Sequence, residues 1–185
     1  VRRVIRHLAT KRGDPQATAY ADMICLGFYT GLRLSDVAEL SREEVVSEGR
    51  FLSLVPNKTR HCKSRPLRIP LVGEALNCVR RRLATADAEG ETFLFPATVR
   101  QRPTKAIGRA FCSCGVQKRG CGRASFHSLR ATFISLMDEA GVPPHVTDAI
   151  TGHAGGGMHA RYTQPSDAAL AEAVTRAIPP LQWIR

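Results

Sequence analysis

The segment Thr30-Gly31-Leu32-Arg33-Leu34-Ser35-Asp36 stands at a change of character in the chain. Before it, Pro15 to Tyr29 carries Ala19, Met23, Ile24, Leu26 and Phe28, the pattern of a buried helix. Gly31 falls where a helix C-cap belongs. Ser35 is placed to N-cap a short helix over residues 36–40. After it come three short β-prone runs, Val45-Val46, Phe51 to Val55 and Leu67 to Ile69. Turn material separates them, so they read as a small antiparallel sheet. Its last hairpin has a long basic tip with Lys58, Arg60, His61, Lys63 and Arg65.

Outside this centre the chain is mostly helical. Leu71 to Leu83 reads as a helix with Leu76, Val79 and Leu83 on one face and Arg80-Arg81-Arg82 mostly off it. Further helices are expected at 104–111, 127–140 and 143–150, and Ser166 caps a last helix that ends at Pro179-Pro180. Its face of Leu170, Val174 and Ile178 packs either on a neighbouring protomer or on its own domain. Residues 112–124 read as an irregular insertion with Cys112, Cys114 and Cys121. Residues 1–14 are basic, short on apolar periodicity and without an initiator Met. They are expected to be a frayed helix or the remains of a linker from a missing upstream domain, with residues 15–185 as the main domain. The fold class is therefore α+β, predominantly helical with a three-stranded antiparallel sheet.

Composition narrows the function. Among 185 residues, 27 Lys+Arg face 16 Asp+Glu, a net charge of +11. That balance points to a polyanion, most simply nucleic acid. No run approaches the ~18 apolar residues of a membrane span. Six cysteines are too sparse for a secreted disulfide scaffold, so a cytoplasmic setting is expected.

The residues that carry chemistry lie in two clusters. One is Arg33 with Asp36 in the segment quoted above. The other runs from His127-Ser128-Leu129-Arg130 through Gly152-His153 to Tyr162, nine residues after that histidine (162 − 153 = 9). Arg33 and Arg130 each present a planar fork of donors suited to phosphate oxygens. On a helix, His127 and Arg130 share a face. Tyr162 has a reference pKa near ~10 and needs a base or a positive field to become a nucleophile.

In order and spacing these residues resemble the tyrosine recombinase (phage integrase) family, over about residues 17–178. The resemblance implies Arg33, Lys58, His127, Arg130, His153 and Tyr162 as catalytic residues, with Asp36 as a structural support. Lys58, in Asn57-Lys58-Thr59, takes the place of the family's hairpin lysine, with Lys63 as rival. It also implies a 3′-phosphotyrosyl intermediate, no cofactor and no ATP. The partners it implies are double-stranded DNA, a homo-tetramer on two duplexes and accessory DNA-bending proteins. Alternatives are strand relaxation like that of a type IB topoisomerase, or an inactive DNA-binding remnant of a mobile element. Arg60, Lys63, Arg65, Arg80, Lys105, Arg109 and Arg123 are candidates for backbone phosphate contacts, which add affinity without sequence information. A zinc site at Cys112, Cys114 and Cys121 is the other reading of the insertion, but the spacing is irregular for zinc, and no metal is expected. The chain departs from the family pattern at Thr151, where Leu is usual, at Ala131, where His often follows, and at Ala154-Gly155-Gly156-Gly157.

Overall fold

The computed structural model describes residues 1–10, 14–61, 65–101, 103–116, 124–153 and 164–181. Its helices are α1 (Arg2–Ala9), α2 (Pro15–Thr30), α3 (Leu34–Ala38), α4 (Gly73–Glu89), α5 (Ala97–Arg100), α6 (Pro103–Ser113), α7 (Phe126–Glu139), α8 (Pro144–Thr151) and α9 (Asp167–Ala177). The strands are β1 (Val45–Val46), β2 (Phe51–Leu54) and β3 (Leu67–Pro70). They pair antiparallel in the order β1-β2-β3, with Val45 opposite Leu52 and Leu52 opposite Ile69. The α+β class with its three-stranded sheet is as the sequence indicates.

Helix α2 is the axis of the domain. Every residue from Ala21 to Thr30 is buried, which requires neighbours on all sides. Its start is defined by Asp14, whose carboxylate accepts the Gln16 and Ala17 N–H groups, and by Pro15 at the first helical position. α1, α3, α4 and α7 pack around it. The approach of α7 depends on two glycines one turn apart. A Cβ on Gly27 would lie 2.4 Å from Phe126 Cζ, and one on Gly31 would lie 2.7 Å from Phe133 Cδ1. Gly31 also has φ of +63°, the left-handed C-cap conformation.

Four local expectations are corrected. Residues 2–9 do have an apolar face: Val4, Ile5 and Leu8 are buried, and α1 packs on α2 and α6. Four charged or titratable neighbours in so short a span dilute that pattern in the sequence. Ser35 is not the N-cap of α3; Arg33 takes that position, with extended backbone and no side-chain cap bond. The helix expected to stop at Leu83 continues to Glu89 and ends at Gly90, which has φ of +68°. Finally, Arg82 does not lie off the packed face. It is buried and donates through Nε to Asp22 Oδ2 at 2.6 Å, while Arg81 pairs with Asp22 Oδ1. Asp22 is itself fully buried, so two arginines of α4 neutralise a carboxylate inside the core.

Helix α9 begins as expected, with Ser166 Oγ accepting the Ala169 N–H. Leu170, Ala173, Val174 and Ala177 are buried within the chain itself, against β3, α7 and α8. An ion pair between Arg68 of β3 and Asp167 fixes its first turn. The segment after it is held by the Leu181 N–H, which donates to Tyr29 Oη at 2.8 Å. Among the described residues, no helix is long and apolar enough to cross a membrane.

Candidate active site

Each residue of Thr30-Gly31-Leu32-Arg33 has a separate structural task. Thr30 is buried and its hydroxyl donates to the Leu26 carbonyl at 2.6 Å. The same hydroxyl accepts the Leu32 N–H. Gly31 reverses the chain at the end of α2, and Leu32 returns to the core. Arg33 then emerges half-buried at the start of α3. A tight, apolar-anchored turn thus delivers one guanidinium to the surface.

Helix α7 delivers the second. Its N-terminus is ordered by the Ser125 N–H, which donates to Ser128 Oγ. Phe126, Leu129, Phe133 and Met137 face the core. Arg130 lies on the same buried side, only 3% exposed. Its Nη1 donates to the Gly31 carbonyl and its Nη2 to the Thr151 carbonyl, both at 2.8 Å. These two bonds tie the end of α2 to the end of α8 through one planar fork. Burial, and then the nearby Arg33 guanidinium, push the Arg130 pKa below the usual arginine value, and Asp36 opposes the shift. The guanidinium is therefore a desolvated cation, held in place before any ligand arrives.

His153 follows Gly152, which caps α8 with φ of +69°. A Cβ on Gly152 would lie 2.9 Å from Leu67 Cδ1, so a glycine here lets β3 approach closely. His153 is exposed, and its Nδ1 stands 3.7 Å from Asp148 Oδ1. Partial burial lowers its pKa below 6.5, and Arg130 lowers it further. Asp148 raises it, while Arg33 and His127 add smaller downward pushes. Arg130, Arg33 and His127 all act on this one imidazole, which places Arg33, His127, Arg130 and His153 in one electrostatic neighbourhood. His127 itself is exposed on the first turn of α7.

Asp36 joins the hairpin to this group. It is buried; its Oδ1 accepts the Asn57 N–H at 2.8 Å, and its Oδ2 has no partner among the described residues. Asn57 opens a 3₁₀ turn, Asn57–Thr59, with Lys58 exposed at its centre. Tyr162, Lys63 and Arg123 lie outside the described residues.

The other basic candidates are spread out. Arg65 lines a cavity of about 220 Å³ together with His145, Asp148 and His153, so it belongs with the site. Arg60 is exposed next to the Lys58 turn. Arg80 lines a different cavity with Asp167, and Arg109 lines a third with His7 and Tyr20. Lys105 is exposed on α6. Of the cysteines, Cys114 is buried with its thiol 3.8 Å from the Arg3 carbonyl, while Cys112 is exposed. No group of three His, Cys, Asp or Glu side chains among the described residues is arranged to hold a metal. Cys121 lies outside them.

Sequence reasoning missed three groups. The Gly31 and Thr151 carbonyls orient Arg130, and backbone acceptors carry no side-chain signature. Asp148 faces His153, five residues on, and an acid at that spacing on a short helix gives little warning. Thr151 shows no strain at its unusual position: its hydroxyl donates to the Thr147 carbonyl at 2.8 Å, so the buried polar group is satisfied within α8.

Fold and site together define a helical domain with a small sheet and a centre of two guanidinium and two imidazole groups, the guanidinium forks being of the kind that pair with oxyanions. The chain belongs to the Phage integrase family, which it matches over residues 1–169. It is 29% identical over 159 residues to the tyrosine recombinase XerA of Pyrococcus furiosus, covering 84% of this chain and 53% of that protein. It is 22% identical to a tyrosine recombinase of Pseudothermotoga lettingae, covering 71% of this chain and 44% of that one. The chain therefore spans about half the length of these relatives. Among solved structures, the integrase of mycobacterium phage Brujita superposes with a TM-score of 0.64 at 20% identity, over 94% of this chain and 55% of that one. The Tn1549 transposon integrase, solved in complex with transposon right end DNA, gives 0.62 at 20% identity, over 90% and 61%.

Proposed function

We propose that this chain is the catalytic domain of a site-specific DNA recombinase that breaks and rejoins strands through a 3′-phosphotyrosyl intermediate at Tyr162. The observation that carries the reading is Arg130, a buried guanidinium fixed by two carbonyls beside Arg33, His127 and His153. A preorganised cation costs no reorganisation as charge develops on the non-bridging oxygens of a five-coordinate phosphorus. Arg33 shares that charge. The Tyr162 hydroxyl oxygen attacks phosphorus and the bond to the 5′ oxygen breaks. His127 accepts the tyrosine proton, Lys58 protonates the leaving 5′ oxygen, and His153 hydrogen-bonds the phosphate. Because His153 is held towards its neutral form, it has a lone pair as well as an N–H to offer. The phosphotyrosyl bond conserves the energy of the phosphodiester, so attack by a 5′-hydroxyl reseals the strand without ATP.

DNA as substrate is supported by the net charge of +11 and by the DNA held by the Tn1549 integrase. We extend the reading to a homo-tetramer on two duplexes, assisted by DNA-bending proteins. In such an assembly the apolar face of α9 stays in its own domain unless the Arg68–Asp167 pair and the Tyr29–Leu181 bond are released.

Covalent trapping tests the proposal. The protein is incubated with supercoiled DNA in EDTA and denatured in SDS. Protein-linked DNA is expected with the wild type and none with Tyr162→Phe. Exchange of strands between duplexes then separates a recombinase from an enzyme that only relaxes DNA. Equal behaviour of wild type and variant would overturn the reading.

A further inference from the structure

We infer that Glu39 and Asn57 form a latch that positions Lys58 against the DNA backbone; the inference rests on the role of Lys58 proposed above. Asn57 is held twice by α3. Its backbone N–H donates to Asp36 Oδ1 at 2.8 Å, and its side-chain Nδ2 donates to Glu39 Oε2 at 2.9 Å. Asp36 and Glu39 are three residues apart at the end of one helical turn, so both acids reach the same side. Lys58 is the next residue in the chain, inside the 3₁₀ turn closed by the Thr59 N–H on the Pro56 carbonyl.

The geometry gives each bond a different effect. One hydrogen bond, donated by the Asn57 N–H to Asp36, fixes the distance of the turn from α3 but leaves it free to pivot. The second bond, from a side chain of the same residue to the next acid along, removes that rotation. Arg33 stands at the opposite end of α3. The helix is therefore a spacer of fixed length, with a guanidinium at one end and the ammonium-bearing turn latched to the other. Proton delivery to a leaving oxygen falls steeply with misplacement of the donor. Glu39 is a positioning residue in this scheme, since it acts only through Asn57.

Glu39 is exposed, so its bond to Asn57 is expected to change the occupancy of the positioned turn by about three- to tenfold and no more. The test reads Lys58 directly. The chain is bound at low salt to a random-sequence DNA duplex and labelled with a trace of acetic anhydride. The acetylation of each lysine is then read by mass spectrometry with and without DNA. Wild-type Lys58 is expected to be protected by DNA. In Asn57→Ala and Glu39→Ala that protection falls by the factor above, while protection of Lys105 does not change. Glu39→Gln retains an oxygen that accepts from Asn57 and is expected to restore protection, which separates the latch from the mere loss of a negative charge near DNA. Unchanged protection of Lys58 in both alanine variants would overturn the latch. A wild-type Lys58 that DNA does not protect would overturn the proposed role of Lys58, and the latch with it.

Discussion

Replacing Gly31 with Ala strikes the point where α2, α7 and the Arg130 fork meet. Two costs are separable. An L-residue in the left-handed region costs ~1–2 kcal/mol. The new Cβ also arrives 2.7 Å from Phe133 Cδ1, and Phe133 is fully buried. Overpacking of this kind costs ~1–3 kcal/mol. Together Gly31→Ala should lose about 2–5 kcal/mol, with a midpoint of about 3.5, by summing those two ranges. For a domain of this size the midpoint corresponds to a fall in Tm of about 7–14 °C. Gly90→Ala supplies the control. Gly90 has a similar φ of +68°, but a Cβ there meets nothing within 4 Å, so it should lose only the backbone cost, ~1–2 kcal/mol. Thermal melts followed by circular dichroism give both values. Because the Gly31 carbonyl accepts from Arg130, Gly31→Ala should also reduce covalent DNA adduct by more than its stability loss explains, whereas Gly90→Ala should not. A Gly31→Ala loss no larger than that of Gly90→Ala would refute the claim that α2 and α7 are in rigid contact here.

Further outcomes follow from the same contacts. Arg130→Lys keeps the charge but cannot donate to both carbonyls. It should cost ~1–3 kcal/mol in urea unfolding and abolish adduct formation. Arg82→Met leaves the buried Asp22 with Arg81 alone and should cost about 3 kcal/mol, against a much smaller loss for the half-exposed Arg81→Met. NMR titration should place the His153 pKa below 6.5 in the free protein, because burial and then the Arg130 and Arg33 guanidinium groups oppose its protonation. The unfolded chain then binds this proton more tightly, so His153 lowers stability as pH falls through the window below 6.5. His153→Ala should flatten that part of the Tm–pH curve. A DNA phosphate at the site reverses the field, so DNA binding should raise the His153 pKa, and duplex affinity should strengthen as pH falls through the same window.

The elements that the sequence made legible are those whose pattern is local. The second half of α2, Met23 to Tyr29, is an apolar run, β2 and β3 are short β-prone runs bounded by turn residues, and Ser166 caps α9 with its own hydroxyl. What was hidden depends on partners far along the chain. Arg82 reads as one of three solvated arginines until Asp22, sixty residues earlier (82 − 22 = 60), is seen beneath it. The apolar face of α1 consists of three residues among basic ones, and only α2 and α6 give it meaning. The candidate site divides the same way. Residue types and spacing single out Arg33, His127, Arg130 and His153, and the fold brings these four together. The Gly31 and Thr151 carbonyls that aim Arg130 are backbone groups without a side-chain signature, and Glu39, which holds Asn57 together with Asp36, falls outside the quoted segment.

Mass spectrometry of the trapped adduct shows whether DNA is covalently bound to one tyrosine. Nuclease and trypsin digestion of the SDS-denatured complex should yield the peptide of residues 162–176, which begins at Tyr162 after cleavage at Arg161. On that peptide a nucleotide is expected, joined through its 3′-phosphate to Tyr162, with a free 5′-hydroxyl on the opposing DNA end. A nucleotide on any other residue, or one joined through its 5′-phosphate, would contradict the proposed 3′-phosphotyrosyl intermediate.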